Sequence, residues 1–106
     1  MAAQQTQKMI YEIAGRYAEV LRRKIRLSHL YVYGSYARGD HDDDSDIDIA
    51  VVADGLTGDV IEDTFTLMKL RREVDMRIEP HPFLTSEFTE KNPLAREVMR
   101  TGIRIV

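Results

Sequence analysis

Two aspartates separated by one residue, Asp46 and Asp48, are the groups in this sequence best suited to chemistry. They open the run DIDIAVV, residues 46–52, in which polar and apolar residues alternate before the run becomes wholly apolar. That pattern predicts a β-strand with both carboxylates on one face, about 7 Å apart along the chain, and with Ile47 and Ile49 facing the core. Adjacent carboxylates repel each other unless a cation lies between them. We expect Mg²⁺, which takes oxygen ligands and keeps positions open for substrate phosphates.

The segment GSYAR, residues 34–38, precedes this pair and has the features of an anion site. Gly34 and Ser35 follow a short aromatic and β-branched run that predicts a strand. A glycine at this point lets backbone N–H groups approach a phosphate closely, and Ser35 adds a hydroxyl. Arg38 lies one helical turn later, within reach of a phosphate oxygen. Together, the two segments describe a site for a metal–triphosphate complex.

A third carboxylate, Asp75, would complete a site for two metal ions. It lies in EVDMRIE, residues 73–79, whose alternation predicts a strand with Met76 in the core and with Pro80 and Pro82 ending it. In two-metal chemistry, one ion activates the attacking hydroxyl and the other holds the triphosphate. We therefore predict that Asp75 joins the first two carboxylates from a neighbouring strand.

The acidic residues are concentrated in one segment. Six aspartates lie within residues 40–48, whereas in the rest of the chain the 15 Lys and Arg residues outnumber the acidic ones, although the net charge is −3. An acidic site on an otherwise mildly basic protein is suited to binding a metal-bound anion such as a nucleotide. We interpret Asp40, Asp42, Asp43 and Asp44 as solvated loop residues and not as ligands.

Other kinds of site do not fit the spacing of the residues. An EF-hand loop starting at Asp40 or Asp42 lacks the required glycine at its sixth position and glutamate at its twelfth. The P-loop pattern is absent, and no nucleophile elbow supports Ser35 as the nucleophile of a hydrolase. The three histidines are scattered and the chain has no cysteine, which excludes a thiolate zinc site.

Length and composition limit the class of protein. A chain of 106 residues has the size of one small domain, so we expect a single domain over 1–106. The sequence has no signal-peptide h-region and no apolar run of about 18 residues, so no membrane association is expected. The absence of cysteine favours a reducing, cytoplasmic setting. No strongly basic channel is predicted, which argues against direct nucleic-acid binding.

The hydrophobic patterns predict an α+β fold, an α/β sandwich of few strands in the order αββαβαβ. We predict helices at 4–27, 59–72 and 93–101, strands at 29–33, 46–52, 73–79 and 103–106, and a turn or short helix with a polar loop at 35–45. In the second long helix we predict an apolar stripe of Ile61, Phe65 and Met68 with Leu67 and Leu70 beside it, and we expect this stripe to face the core. The last helix has Asn92 as its predicted N-cap and Gly102 after its end.

The string GSYARGDHDDDSDIDIAVV, with ten residues between Gly34-Ser35 and Asp46-Ile47-Asp48, resembles the signature of the polymerase-β-type nucleotidyltransferase superfamily. The full string is similar to that of its small MNT (minimal nucleotidyltransferase) members. Asp75 matches the place of the third carboxylate of that family, and the closing NPLAREVMRTGIRIV resembles the end of MNT chains. The resemblance implies a mixed β-sheet with helices packed on one side.

The resemblance also implies an activity and a partner. Asp46 and Asp48 would bind two Mg²⁺ ions, Asp75 would bind one of them and help to activate the acceptor hydroxyl, and Gly34 and Ser35 would contact the triphosphate of ATP or another NTP. MNT proteins often pair, as antitoxins, with a HEPN-domain toxin, which is a ribonuclease. Some of them adenylylate a tyrosine of that toxin and silence it.

Three functions remain open at this point. The first is Mg²⁺-dependent transfer of AMP to a hydroxyl of a partner toxin, and the second is neutralisation of that toxin by contact alone. The third is transfer to a small-molecule hydroxyl such as that of an aminoglycoside, as in larger members of the superfamily. Because a domain of this size can hold one NTP but hardly encloses a second substrate, we expect the acceptor on a partner protein or a second subunit, in a homo- or hetero-oligomer.

Overall fold

The computed structural model describes residues 2–42 and 44–106 of the chain. In these residues the elements follow in the order α1 (Ala2–Arg22), β1 (Arg26–Tyr33), α2 (Ser35–Arg38), β2 (Ile47–Asp54), α3 (Val60–Arg71), β3 (Ile78–Leu84), a 3₁₀ turn (Thr85–Glu87), α4 (Pro93–Thr101) and β4 (Ile103–Arg104). None of the helices in this part of the chain is both long and apolar enough to cross a membrane.

The strands form one mixed sheet in the order β3-β2-β1-β4. Strand β1 pairs antiparallel with β2 and with β4, whereas β3 pairs parallel with β2. A parallel neighbour needs a crossover connection, and α3 provides it. The predicted α+β class with a mixed sheet is confirmed.

The sheet has a hydrophobic cluster on each face. Ile47 and Ile49 of β2 are fully buried in the larger cluster, which contains side chains of α1 and α3. Ala50 and Val52, which alternate with them, belong to a smaller cluster with Val98 of α4. Helices α1 and α3 thus share one side, as the resemblance implied, and the short helix α4 covers part of the opposite face.

The first helix ends earlier, and the first strand begins earlier, than the sequence patterns predict. Helix α1 ends at Arg22, directly after the fully buried Leu21, and β1 begins at Arg26. Arg23 and Lys24, which lie between these points, are exposed. Leu27 contacts the larger cluster from β1, and Ile25 contacts it from the bend before that strand.

Helix α3 lies where it was predicted but turns a different face to the core. The exposed fractions of Ile61 and Phe65 are 71% and 62%, whereas Leu67 is fully buried and Asp63 is only 4% exposed. The expectation that the stripe containing Ile61 and Phe65 faces the core is therefore wrong. The physical reason is the set of hydrogen bonds that Asp63 makes with the preceding loop.

The buried carboxylate of Asp63 accepts hydrogen bonds from the Thr57 N–H at 2.9 Å, the Thr57 hydroxyl at 2.8 Å and the Gly58 N–H at 3.0 Å. Replacing Asp63 by alanine leaves these donors without their acceptor, so we expect the free energy of unfolding to fall by about 2–4 kcal/mol. Urea unfolding measures the change. Thr66→Ala, on the exposed side of the same helix, is the control and should stay within about 0.5 kcal/mol of wild type.

The third strand is displaced from its predicted position. It runs from Ile78 to Leu84 through Pro80 and Pro82, which were predicted to end it. Strand β3 is the edge of the sheet, where a residue without an N–H is tolerated on the open side. Met76, expected in the core, is 59% exposed because it precedes this strand.

The last helix agrees with the prediction. The Asn92 side chain caps α4 by accepting hydrogen bonds from the N–H groups of Leu94 and Ala95, at 3.0 and 3.2 Å. Pro93 is the first helical residue, and Gly102 follows the end of the helix. Strand β4 then pairs with β1.

Candidate functional site

Asp46 and Asp48 lie at the start of β2, on the side of the sheet that α4 partly covers. Asp48 is half-buried and shares its face with Ala50, a member of the α4 cluster, while Ile47 and Ile49 point into the opposite cluster. The predicted alternation along the strand is confirmed. Asp46, one residue before the strand, is exposed to solvent.

Like charges converge on Asp48. Burial raises the pKa of Asp48 above its ordinary value, and the negative charges of Asp46 and Glu79 raise it further. The Arg38 guanidinium acts in the opposite direction and lowers it. The ionised form of Asp48 is therefore disfavoured by its neighbours, and a cation at this point would relieve that cost.

Glu79 is the residue of this site that the sequence reasoning missed. It lies on β3 directly beside Asp48 in the parallel register, so both side chains leave the same face of the sheet. Glu79 was the last residue of the predicted strand 73–79, on the same side of that strand as Asp75. Because the strand was predicted to start five residues too early, Asp75 was chosen as the third carboxylate and Glu79 was not considered.

Asp75, the predicted third carboxylate, lies in the turn before β3 and not in a strand, so its predicted position is wrong. Its carboxylate accepts hydrogen bonds from the Arg77 backbone N–H and from Arg77 Nε and Nη2, at 2.8, 3.1 and 2.9 Å. Hydrogen bonds from Arg77 lower the pKa of Asp75, and the charge of Arg16 on α1 contributes in the same direction. The charged groups that act on the pKa of Asp75 are Arg77 and Arg16, and not the carboxylates of Asp46 and Asp48.

Gly34 lies against the carboxylate of Asp48. Its backbone has φ 73° and ψ −146°, a combination that residues other than glycine rarely adopt. A Cβ atom added at Gly34 would come closer to Oδ2 of Asp48 than real Cβ atoms approach any neighbour. Ser35 follows as the first residue of α2 and is half-buried. Gly34 thus lies directly against the Asp48 carboxylate.

The acidic loop is solvated, as predicted for the residues that the structure describes. Asp40, Asp42 and Asp44 are exposed, and Asp43 lies outside the described residues. The Nε of Arg38 donates a hydrogen bond to Asp40 at 3.2 Å. The positive charge of Arg38 also lowers the pKa of Asp48, so this side chain interacts with both the acidic loop and the carboxylate site.

Tyr33 forms part of the surface beside the carboxylates. Tyr33 on β1 is the register partner of Asp48, and Asp48 is the register partner of Glu79. The three residues therefore lie side by side on three adjacent strands. Burial raises the pKa of Tyr33 to about 12, with contributions from Asp48, Glu79 and Glu97. The phenol is therefore neutral in this environment, and its side chain packs against the α4 cluster.

The site fits a divalent cation that binds together with a phosphate ligand. Within residues 2–42 and 44–106, no three carboxylate, imidazole or thiol groups are arranged to enclose a metal ion by themselves. Mg²⁺ commonly takes one or two protein carboxylates and completes its octahedron with waters and substrate phosphates. Asp46 and Asp48, with Glu79 beside them, offer that kind of open, oxygen-only ligand set.

The family model described as polymerase beta, nucleotidyltransferase matches residues 16–106. The chain therefore belongs to the polymerase-β nucleotidyltransferase family, whose members typically use an NTP and a divalent metal ion. No curated protein matches the chain.

Three solved structures share the fold. One, described as a nucleotidyltransferase from Sulfolobus solfataricus, has a TM-score of 0.68 and 25% identity, over 98% of this chain and 86% of that one. Two are toxin–antitoxin structures, each covering 88% of this chain and 72% of the other. The one with AMP-PNP has a TM-score of 0.61 and 23% identity, and the MntA–HpeT mutant has 0.59 and 22%.

The raised pKa of Asp48 predicts that ionisation of this carboxyl lowers the free energy of unfolding of the metal-free protein. Because its folded pKa exceeds the unfolded value of 3.8, stability falls as the pH rises from that value through the folded pKa. Asp48→Asn removes the cost, so we expect the metal-free variant to be more stable at neutral pH by up to about 1 kcal/mol after solvent screening.

Urea unfolding in chelator at several pH values measures this difference. Asp54→Asn, at the exposed far end of β2, is the control and should change stability by less than about 0.5 kcal/mol. A metal-free Asp48→Asn variant that is less stable than wild type at neutral pH would contradict the prediction.

Proposed function

We propose that this chain transfers AMP from ATP to a hydroxyl of a partner protein, and that it acts as the antitoxin of a HEPN-domain toxin by modifying a tyrosine of that toxin. The proposal depends on one observation, which is that Asp48 lies beside Glu79 in the parallel register, feels the charge of Asp46 and lies directly against Gly34. In a member of the nucleotidyltransferase family, this places carboxylates beside a Gly-Ser turn.

Each residue has a definite part in the proposed reaction. Asp46 and Asp48 would hold up to two Mg²⁺ ions, which supply Lewis-acid activation of the acceptor and neutralise charge on the triphosphate when bound. The Ser35 hydroxyl and the backbone around Gly34 bind triphosphate oxygens. Arg38 adds a positive charge within range of Asp48. Glu79 orients the acceptor hydroxyl and receives its proton.

The proposed step exchanges one P–O bond for another. The acceptor oxygen forms a bond to the α-phosphorus of ATP, and the bond between that phosphorus and the bridging oxygen of the β-phosphate breaks. Pyrophosphate leaves with the electron pair, and the acceptor proton passes to Glu79 and then to solvent. Positioning and electrostatic stabilisation account for most of the rate in reactions of this kind.

An acceptor on another protein suits the openness of the site. Asp46 and Glu79 are exposed and Asp48 is half-buried, while α4 covers the neighbouring part of that face. A tyrosine on a protein surface can reach such a site without being enclosed. We place the reaction in the cytoplasm, which supplies both ATP and Mg²⁺.

The test incubates the chain with Mg²⁺, the HEPN toxin from its genomic neighbourhood and ATP labelled at the α-phosphate. We expect label on the toxin with wild type and none with the Asp46→Asn/Asp48→Asn variant. ATP labelled at the γ-phosphate is the matched control and should leave the toxin unlabelled, because that phosphate departs with pyrophosphate.

Toxin activity is measured in the same samples. If the Asp46→Asn/Asp48→Asn variant still binds and silences the toxin, neutralisation occurs by contact alone and the catalytic proposal fails. If label appears on an aminoglycoside and not on the toxin, the acceptor is a small molecule and the antitoxin proposal fails.

A further inference from the structure

The outward side of α3 has an exposed apolar stripe. The exposed fractions of Val60, Ile61 and Phe65 are 59%, 71% and 62%. Together with Thr64 and Met68, these residues line one shallow groove of about 200 Å³. Contiguous exposed apolar surface of this kind marks an interaction site more often than scattered single residues do.

Two side chains of opposite charge, Glu62 and Lys69, border the stripe on one flank. They are seven residues apart, which is two helical turns or about 10 Å along the axis, and they point within about 20° of each other around the helix. Both are exposed, and neither forms an ion pair within the described part of the chain. Their midpoint falls close to Phe65, near the centre of the stripe.

We propose that the stripe is a homodimer interface in which α3 pairs antiparallel with α3 of a second copy. A two-fold axis near Phe65 brings the same flank of both helices together and reverses their ends. Glu62 of each copy then faces Lys69 of the other, which gives two attractive pairs. A parallel two-fold arrangement would place the flank that carries Glu62 and Lys69 against the opposite flank of the partner helix, so neither attractive pair could form.

The size of the patch indicates a weak dimer. One helix face buries less surface than the interface of a typical stable complex, so we expect a Kd on the order of micromolar. Antiparallel pairing also places the acidic first turn of each helix beside the basic last turn of the other, which matches the helix dipoles. Asp48 and Glu79 lie on the opposite face of the sheet, so both candidate sites stay open in the dimer.

Charge exchange tests the pairing, with sedimentation equilibrium as the readout. Glu62→Lys alone and Lys69→Glu alone each replace two attractive pairs by two repulsive ones, so the Kd of the homodimer should rise about tenfold. The double variant E62K/K69E restores both pairs and should return to the wild-type Kd. A mixture of the two single variants should form heterodimers more tightly than either variant forms homodimers.

Apolar variants test the stripe itself. Phe65→Asp should weaken the dimer on the order of a hundredfold, because it buries a charge at the centre. Thr66→Asn, on the solvent side of the same helix, introduces no charge beside Glu62 and Lys69, so it is the control and should leave the Kd unchanged. Circular dichroism of the variants checks that α3 still folds.

Three results would overturn the proposal. These are a wild-type chain that stays monomeric well above micromolar concentration, a dimer that persists in Phe65→Asp, and single charge variants that do not recover on mixing. If the chain stays monomeric while Phe65→Asp abolishes binding to the HEPN toxin, the stripe is an interface for that partner and not for a second copy.

Discussion

Replacing Gly34 by alanine is expected to reduce nucleotidyl transfer on the order of a thousandfold. The added Cβ atom would overlap Oδ2 of Asp48, so the carboxylate must rotate away from the position in which it faces Asp46 and Glu79. The loss should therefore appear in kcat and in the Mg²⁺ dependence. Transfer of α-phosphate label to the toxin, measured over a range of Mg²⁺ concentrations, gives both quantities.

Gly39→Ala is the matched control for that variant. Gly39 also has a positive φ, at 83°, but no atom lies within 4 Å of a Cβ added there. Both substitutions strain the backbone by about 1 kcal/mol, and only Gly34→Ala crowds Asp48. Equal losses of activity in the two variants would mean that backbone conformation, and not the Asp48 contact, accounts for the effect.

Glu79→Gln is expected to lower kcat by about a hundredfold or more while leaving the fold intact. Glu79 lies beside Asp48 and is exposed, so the amide keeps the shape of the side chain and removes only its charge and its proton affinity. Asp75→Asn, by contrast, should keep the rate within a few-fold of wild type. A steady-state assay of both variants separates the two candidate third carboxylates.

The stability of the same two variants provides an independent readout. Arg77 lowers the pKa of Asp75, so this carboxylate stabilises the fold above the unfolded value of 3.8 and loses that effect as the pH falls through the folded pKa. Asp75→Asn should therefore cost about 0.5–1 kcal/mol at neutral pH and little in strong acid. If Asp75→Asn abolishes catalysis and Glu79→Gln does not, the carboxylate of the turn is the functional one.

Features that depend on residues close together in the chain could be derived from the sequence. The alternation at 46–52 places Asp46 and Asp48 on one face because side chains of an extended backbone alternate with period two. The Gly34-Ser35 turn and the Asn92 cap depend on a few consecutive residues, whose backbone preferences are intrinsic. These features carry the family signature, and the structure places each of them as expected.

Other parts of the fold depended on contacts that a helix or strand makes with a different segment of the chain. The face that α3 buries is decided by hydrogen bonds from residues 57–58 to Asp63, against the apolar stripe of the helix itself. The start of β3 is decided by its pairing with β2, which extends the strand through two prolines that are acceptable only on an edge. Neither contact has a local signal in the sequence.

The sequence by itself determined the class of chemistry, since two carboxylates at a spacing of two and an adjacent Gly-Ser turn are local features. Only the tertiary structure decided which carboxylate of the next strand lies beside them. Parallel pairing sets Glu79 beside Asp48, while Arg77 holds Asp75 in the preceding turn. The register between two strands joined by a helix is set by the free energy of the packed sheet. A shift of this register would change the partner of every residue on both strands.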